Sequence, residues 1–282
     1  MTTPPDFFMT DGAARYRMIR PWHRDTPQAR LRNLSQLAVD SRGRVFVLQR
    51  EAPHVMIFAA SGELESTFDD PRLTSGHGIF IDAHDQVYLV SYDAHQVLAF
   101  DADLRPRFAL GEFNTPHWQA PFNHPTDVAV APDGELYVTD GYGNACVHRF
   151  SAQGEHLQTW GTVGDGPGEF ATPHGAWVLP DNRVAVCDRE NDRVQIFDRE
   201  GGYLTQWRHF VRPMDIWCDG THVFVADQAP RITRLNLEGQ IVGRMRTFGV
   251  YPHGLWGDAQ GSLYVAEQGP TMCVTKYAFV AP

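Results

Sequence analysis

Residues 125–155 read PTDVAVAPDGELYVTDGYGNACVHRFSAQGE, and this stretch decides the fold. Two short runs rich in β-branched and aromatic residues, VAV and LYV, flank a Pro-Asp-Gly turn that suits a tight hairpin. The pattern therefore predicts strand, turn, strand, short loop and a further strand.

The same pattern returns five more times along the chain. Two examples are LAVDSRGRVFVLQREAPHVMIF from Leu37 and AWVLPDNRVAVCDRENDRVQIFD from Ala176. The six predicted units begin near residues 35, 77, 126, 174, 214 and 253. A four-stranded antiparallel unit repeated about every 40–50 residues is typical of a β-propeller. We therefore predict an all-β, six-bladed propeller.

The two ends of the chain are expected to complete one ring. The sixth unit runs out of residues at VTKYAF, while ARYRMIR (14–20) is left over at the front. We predict that residues 14–20 supply the outer strand of the last blade, which closes the ring and leaves no open edge. Residues 1–282 then form a single domain.

Composition limits the class of protein. Hydrophobic residues make up 43% and charged residues 21% of the chain, which is ordinary for a globular protein. The net charge of −10 and the lack of a basic cluster argue against nucleic acid or an anionic membrane as partner. The start MTTPPDFFMTDGAARYR lacks the basic and apolar regions of a signal peptide, and no long apolar run predicts a membrane span. We expect a cytoplasmic monomer.

The cysteines agree with a reducing compartment. They are widely spaced and form no CxxC pair, so we expect reduced thiols packed as small hydrophobic side chains. A metal or disulfide role stays open for each of them. The four are Cys146, Cys187, Cys218 and Cys273.

A histidine recurs at one position of alternate units. Two residues before the first apolar strand residue, the units carry Ser35, His77, Thr126, His174, Met214 and His253. The inner strands of a propeller line its channel, so alternate blades are about a third of a turn apart. We predict that His77, His174 and His253 converge as a three-histidine metal site with an open coordination position. Zinc is the first candidate, and manganese, iron and cobalt stay open.

Two arginines occupy a second shared position. It lies 13 residues after the first strand residue and holds Arg50 in blade 1 and Arg189 in blade 4, which face each other across a six-fold ring. Paired buried arginines without a carboxylate are rare, because desolvation of a guanidinium is costly. The pair predicts a small-molecule ligand that bears a carboxylate. Solvated or aspartate-paired arginines are the alternative.

Several phrases resemble the NHL-repeat propellers and, within them, the peptidyl-α-hydroxyglycine amidating lyases. The similarity extends over nearly the whole predicted propeller. The phrases that carry it are FNHPTDVAV (122–130), VTDGYGNACVHRFS (138–151), FATPHGAW (170–177), VCDREND (186–192) and YPHGLW (251–256).

The resemblance implies roles for three residues. In these lyases the tyrosine of the DGY phrase is the catalytic acid/base and two arginines assist it. The matching positions are Tyr142, Arg50 and Arg189. An arginine or a metal beside a phenol favours the phenolate.

This chain also departs from the family pattern. The family's calcium site uses a carboxylate directly after the third histidine, where this chain has Gly254, so a structural calcium is not expected from that position. Backbone carbonyls of Leu37 and Ile79 would be the remaining donors. The family cysteine after the tyrosine is Gly143 here, so that disulfide is missing.

The resemblance implies a zinc-dependent carbon–nitrogen lyase. Its reaction would cleave an N-acyl or N-carbamoyl α-hydroxyglycine to an amide and glyoxylate. One alternative is a non-catalytic interaction propeller, which predicts no metal and an exposed patch on one face. Another is a lactonase-like hydrolase, whose metal is held by carboxylates and asparagine, and the histidine pattern argues against it.

Overall fold

Short turns between the apolar runs fold each repeat into a four-stranded antiparallel meander. The computed structural model describes residues 6–24, 26–270 and 272–280, so the predicted domain limits, residues 1 and 282, lie outside the described residues. Five such sheets and a sixth that includes strands from the N-terminal segment, called blades 1–6 in chain order, are arranged in a ring. The first strand of each blade contacts the first strands of the blades on either side, and blade 6 returns to blade 1. The predicted six-bladed all-β propeller is confirmed.

Blades 1–3 run from the inner to the outer strand in chain order. Blade 1 contains β3 (Leu34–Val39), β4 (Val45–Gln49), β5 (Val55–Phe58) and β6 (Leu64–Phe68). Blade 2 contains β7 (Gly76–Ile81), β8 (Val87–Ser91), β9 (Gln96–Phe100) and β10 (Pro106–Leu110). Blade 3 contains β11 (Asp127–Val130), β12 (Leu136–Asp140), β13 (Cys146–Phe150) and β14 (His156–Trp160).

Blades 4–6 repeat this order. A short parallel pair, β15 (Thr162–Val163) and β16 (Glu169–Phe170), precedes them. Blade 4 contains β17 (Pro173–Val178), β18 (Val184–Asp188), β19 (Arg193–Phe197) and β20 (Tyr203–Trp207). Blade 5 contains β21 (Pro213–Cys218), β22 (His222–Asp227), β23 (Arg231–Asn236) and β24 (Ile241–Arg246). Blade 6 contains β25 (Tyr251–Gly257), β26 (Leu263–Gln268) and β27 (Cys273–Val280).

The N-terminal segment completes blade 6. Strand β2 (Arg15–Ile19) pairs antiparallel with β27, within the predicted residues 14–20, and Tyr16 opposite Phe279 is buried. The predicted strand is present but is not the outermost one, because β1 (Phe7–Thr10) pairs with β2 on its outer side and gives blade 6 a fifth strand. Asp11 ties this hairpin to blade 5 through an ion pair with Arg234, at 2.8 Å between Oδ2 and Nε.

The hydrophobic core lies between the inner and middle strands of neighbouring blades. Every residue of β3, β7 and β21 is buried, whereas the outer strand β6 is mostly exposed. Inner strands packed on both faces need continuous apolar runs, which is why VAV and its equivalents mark them in the sequence.

Aromatic side chains close one end of the channel. Phe80, Trp177 and Trp256 each follow a predicted metal histidine by three residues, and their ring centroids lie 5.0–5.2 Å apart. At about 3.3 Å per strand residue, this aromatic floor lies roughly 10 Å from the histidines. The predicted site therefore faces the opposite mouth of the channel.

Helix is almost absent from the described residues. Its only segments there are the three-residue 3-10 turns Pro27–Ala29 and Arg189–Asn191. Neither has the length or the apolar character of a helix that crosses a membrane. The four cysteines are free thiols and all are buried, as the sequence predicted.

Candidate metal and active site

The three predicted histidines meet at the channel axis. His77 lies in β7, His174 in β17 and His253 in β25, so each belongs to an inner strand rather than to the segment before it. One ligand nitrogen from each lies within 4.8 Å of the other two. The ring centroids are 5.0–5.2 Å apart and the rings are nearly fully buried.

Each histidine is oriented by the next blade. The Nδ1 atoms of His77, His174 and His253 lie 2.6, 2.7 and 2.8 Å from backbone carbonyl oxygens. These carbonyls belong to the residues at the same position of the following blades, Thr126, Met214 and Ser35. A carbonyl can only accept, so each Nδ1 carries the proton and each Nε2 presents a lone pair. Such outer contacts fix the tautomer and the ring angle of metal-binding histidines.

The environment keeps these imidazoles neutral. Burial, followed by the fields of neighbouring histidines and arginines, lowers the pKa of His77 and of His174 well below the ordinary value. Burial and the charge of Arg50 lower the pKa of His253 to about 3. Three neutral imidazoles with free Nε2 atoms match the donor set of a divalent transition metal with an open position. The residues present therefore fit the metal that the sequence predicted.

Glycine follows each histidine because the neighbouring blade fills the space. A Cβ at Gly78 would lie 2.7 Å from Asp127 Oδ1, and a Cβ at Gly175 would lie 2.8 Å from the Met214 carbonyl oxygen. At Gly254 it would lie 2.7 Å from Gln36 Cα. The recurring His-Gly phrase thus reflects close packing around the channel. A carboxylate at 254 has no room, so the residues do not fit the calcium site that the resemblance implies.

A second ring of side chains lies one residue below the histidines. Gln36, Asp127 and Asp215 reach across to the next blade and accept backbone N–H groups at 2.5, 3.1 and 2.7 Å. Burial raises the pKa of the Asp215 carboxyl to about 6, and burial together with Asp215 raises the pKa of Asp127. This ring was not predicted from the sequence, although its members share one position of alternate repeats.

Tyr142 lies against the histidine cluster. Its Oη is 3.2 Å from His77 Nε2 and 3.1 Å from His174 Nε2, and it accepts a hydrogen bond from Arg189 Nη1 at 2.9 Å. The preceding Gly141 permits this approach, because a Cβ there would lie 2.0 Å from the Pro173 carbonyl oxygen. The structure thus brings the tyrosine of the DGY phrase to the metal candidates.

The two predicted arginines flank the same mouth but differ in their partners. The Arg189 guanidinium lies 5.1 Å from the centre of the Tyr142 ring, and Arg50 lies 5.6 Å from the centre of Tyr92. Arg189 Nε also pairs with Glu190 at 2.9 Å, so this arginine is not left without a carboxylate. Among the described residues, no carboxylate pairs with Arg50. Arg50 is therefore the better candidate to bind a ligand carboxylate.

A cavity of about 370 Å³ opens beside these groups. Four predicted site residues line it: Arg50, Tyr142, Arg189 and His253. The other lining residues were not predicted from the sequence as site residues: Met214, Gln228, Tyr251, Gln268 and Gly269. A larger cavity of about 870 Å³ lies at the aromatic end and contains none of the predicted site residues. Its aspartates, such as Asp40 and Asp82, bind the backbone of their own hairpin turns. The smaller cavity is the candidate active site.

Comparison with known proteins agrees with the repeat pattern. The NHL repeat model matches residues 122–150 and 170–197. The chain is a six-bladed β-propeller that contains NHL repeats. The propeller is 34% identical over 163 residues to the mouse peptidyl-glycine alpha-amidating monooxygenase. It is 30% identical over 206 residues to peptidyl-alpha-hydroxyglycine alpha-amidating lyase 1 of Drosophila melanogaster.

These relatives are longer than the matched region. The alignments cover 55% and 69% of the propeller but only 16% of the mouse protein and 37% of the fly protein. Among solved structures, a gluconolactonase of Xanthomonas campestris superimposes with a TM-score of 0.69 at 15% identity, covering 98% of the propeller and 99% of that chain. At that identity the likeness shows the fold alone.

Proposed function

We propose that the propeller is a metal-dependent lyase that cleaves the C–N bond of an N-acyl or N-carbamoyl α-hydroxyglycine. The products are an amide and glyoxylate. The observation that carries the proposal is the Tyr142 hydroxyl, which contacts two candidate metal ligands and Arg189 at 2.9–3.2 Å. The similarity to proteins named amidating lyase and amidating monooxygenase supports a lyase-type propeller.

His77, His174 and His253 would hold the metal, with zinc as the first candidate. When bound, such a metal supplies Lewis acidity that lowers the pKa of a hydroxyl group beside it. The carbonyls behind each Nδ1 hold the rings so that no histidine must turn or change tautomer on binding.

Tyr142 would move the proton. The substrate α-hydroxyl loses its proton to the Tyr142 phenolate as its oxygen forms the aldehyde carbonyl of glyoxylate. The C–N bonding electrons leave with nitrogen, which takes the proton back from Tyr142. The net change is one proton transferred from oxygen to nitrogen. Arg189, which donates to the Tyr142 oxygen at 2.9 Å, stabilises the phenolate that exists before the first transfer and is restored by the second.

Arg50 would bind the substrate carboxylate. Its guanidinium lines the cavity, packs over the Tyr92 ring and has no paired carboxylate among the described residues. A planar guanidinium can bind a carboxylate through two parallel hydrogen bonds, which fixes the substrate's orientation. Arg50 and Tyr142 both line the cavity, so a substrate whose carboxylate bound Arg50 would have its reacting α-carbon in the same cavity as Tyr142.

The test measures glyoxylate release from α-hydroxyhippurate and from ureidoglycolate by metal-loaded protein. Tyr142→Phe removes only the hydroxyl and should lower turnover by roughly a hundredfold or more, the usual size of an acid/base contribution. Tyr92→Phe, a ring 5.1 Å away, is the matched control and should retain activity. Cleavage of neither substrate would refute the proposed reaction, and an unimpaired Tyr142→Phe enzyme would refute the role of Tyr142.

The metal is tested separately by elemental analysis. Single alanine variants of His77, His174 or His253 should lose most of the metal held at this cluster. A triple alanine variant that retained the same metal content as wild type would exclude the cluster as the binding site.

A further inference from the structure

A second group of potential metal ligands lies inside blade 3. Asp140 ends β12 and is paired directly with Cys146 at the start of β13, and His148 follows two residues later on the same face. All three side chains are fully buried. His148 Nε2 lies 3.2 Å from Asp140 Oδ2 and 3.4 Å from Cys146 Sγ.

Blade 3 differs from blades 4 and 5 at this position. In blade 4 the equivalent carboxylate, Asp188, is paired with Arg193 at 2.7 Å. In blade 5 Asp227 is paired with Arg231 at 2.8 Å between Oδ2 and Nε. In blade 3 Cys146 takes the place of that arginine, and within the described part of the chain no arginine or lysine pairs with the buried Asp140.

A buried carboxylate that is balanced by no arginine or lysine favours a positive partner, and His148 or a metal ion can supply it. The contacts of His148 help to decide between a proton on its imidazole and a metal ion. Its Nδ1 contacts Thr159 Oγ1 at 2.7 Å, which leaves Nε2 facing both the carboxylate and the sulfur. A proton on Nε2 can serve one of these contacts. A divalent cation can serve oxygen, nitrogen and sulfur together.

The spacing of the ligand atoms suits zinc. Zinc–nitrogen and zinc–oxygen bonds of about 2.0–2.1 Å and a zinc–sulfur bond of about 2.3 Å give tetrahedral edges of roughly 3.3 Å for N–O and 3.6 Å for N–S. The observed 3.2 and 3.4 Å lie within a few tenths of an ångström of these edges. A thiolate, a carboxylate and a neutral imidazole also balance the two charges of the ion.

We propose that Asp140, Cys146 and His148 form a structural site for a zinc-type divalent metal, distinct from the three-histidine cluster. The three side chains supply one donor atom each, and the fourth tetrahedral position would be filled by a small ligand such as water.

The site would stiffen the loops around the candidate active site. Asp140 Oδ2 accepts hydrogen bonds from the Asn123 N–H at 2.9 Å and from Asn144 Nδ2 at 2.7 Å. Asn144 in turn donates to the His117 carbonyl oxygen at 2.9 Å. Tyr142 follows Asp140 by two residues, so the metal would hold the base of the loop that carries it.

The experiment uses the full chain produced in minimal medium with cobalt as the added metal. Cobalt bound to a thiolate gives an intense near-ultraviolet charge-transfer band, whereas cobalt bound only to histidines does not. We expect this band and about two metal ions per chain in wild-type protein. Cys146→Ser should abolish the band and remove one ion, and Cys187→Ser, another fully buried cysteine, is the matched control that should change neither.

Two outcomes would overturn the proposal. Folded wild-type protein that binds cobalt without the thiolate band would mean that a protonated His148 balances Asp140 instead; this measurement needs no variant and stands even if Cys146→Ser fails to fold. A band that survives in Cys146→Ser would place the thiolate elsewhere. His77→Ala should remove the other ion and leave the band, which separates this proposal from the proposed activity.

Discussion

Acidification of the metal-free protein should cost stability through the buried histidines. Because the pKa of His253 is lowered from 6.5 to about 3, the folded chain binds fewer protons than the unfolded chain between these two pH values. The stability from this group is therefore complete above about pH 6.5 and is lost as the pH falls toward 3. His77 and His174 shift in the same direction.

The size of the effect follows from the two pKa values. Between pH 7 and pH 5, a group with an unfolded pKa of 6.5 and a folded pKa of about 3 contributes about 2 kcal/mol to the loss of unfolding free energy. Asp215, whose pKa is raised to about 6, acts in the opposite sense over part of this range. A comparison of two chains that both contain Asp215 isolates the contribution of His253.

The comparison chain is His253→Asn. The amide of asparagine can still donate to the Ser35 carbonyl that the imidazole Nδ1 contacts, but it does not titrate. Chelator-treated proteins are unfolded with urea at pH 7 and pH 5. Wild-type protein should lose about 2 kcal/mol more than the variant on acidification. Equal losses in the two proteins would show that His253 is not held neutral by its surroundings.

Three further predictions address closure, packing and a buried ion pair. Deletion of residues 1–21 removes the strand that pairs with β27 and should cause aggregation or lower the Tm by roughly 10 °C; a monomer with unchanged Tm would refute this ring closure. Gly175→Ala should displace the Met214 carbonyl that orients the preceding histidine and weaken metal binding about 10–100-fold, measured by chelator competition; unaltered affinity would argue against this contact. Arg193→Met leaves a buried carboxylate uncompensated and should cost about 3–5 kcal/mol in urea unfolding, whereas Arg105→Met at an exposed pair should cost less than about 1 kcal/mol; similar losses would contradict the role of burial.

The fold was predictable because each repeat carries its own local signals. Asp-Gly turns between short β-branched runs specify hairpins, and the period of the runs specifies blades. Strand β1 was missed although Asp-Gly follows FFMT (7–10), because this run and β2 form a lone hairpin outside the six repeats. Its place as a fifth strand depends on tertiary contacts such as that between Asp11 and Arg234.

The candidate site was predictable to the extent that position within a repeat determines position around the channel. His77, His174 and His253 share one such position, so their convergence follows from the backbone alone. The contact of Tyr142 with two of these histidines depends on a loop, and the family resemblance rather than the repeat pointed to it. Asp140 was missed as a ligand candidate, because its partners become visible only when β12 and β13 are paired in register.

Around the channel, blades that carry His-Gly alternate with blades that carry glutamine or aspartate, and this alternation limits how such a ring can gain or lose blades. Each blade that carries His-Gly lies between two blades that carry Gln36, Asp127 or Asp215 at the glycine position. The side chain or backbone of one neighbour fills the space beside the glycine, and the side chain of the other neighbour accepts a backbone N–H of the His-Gly blade. The unit that can be duplicated or lost without a mismatch is thus a pair of blades. Gain of a single blade would place two blades of the same kind side by side, and the contact between a His-Gly blade and a glutamine or aspartate blade would be missing at that boundary. Descendants that keep this centre should therefore have an even number of blades, and an eight-bladed relative would bring four histidines, not three, to the axis.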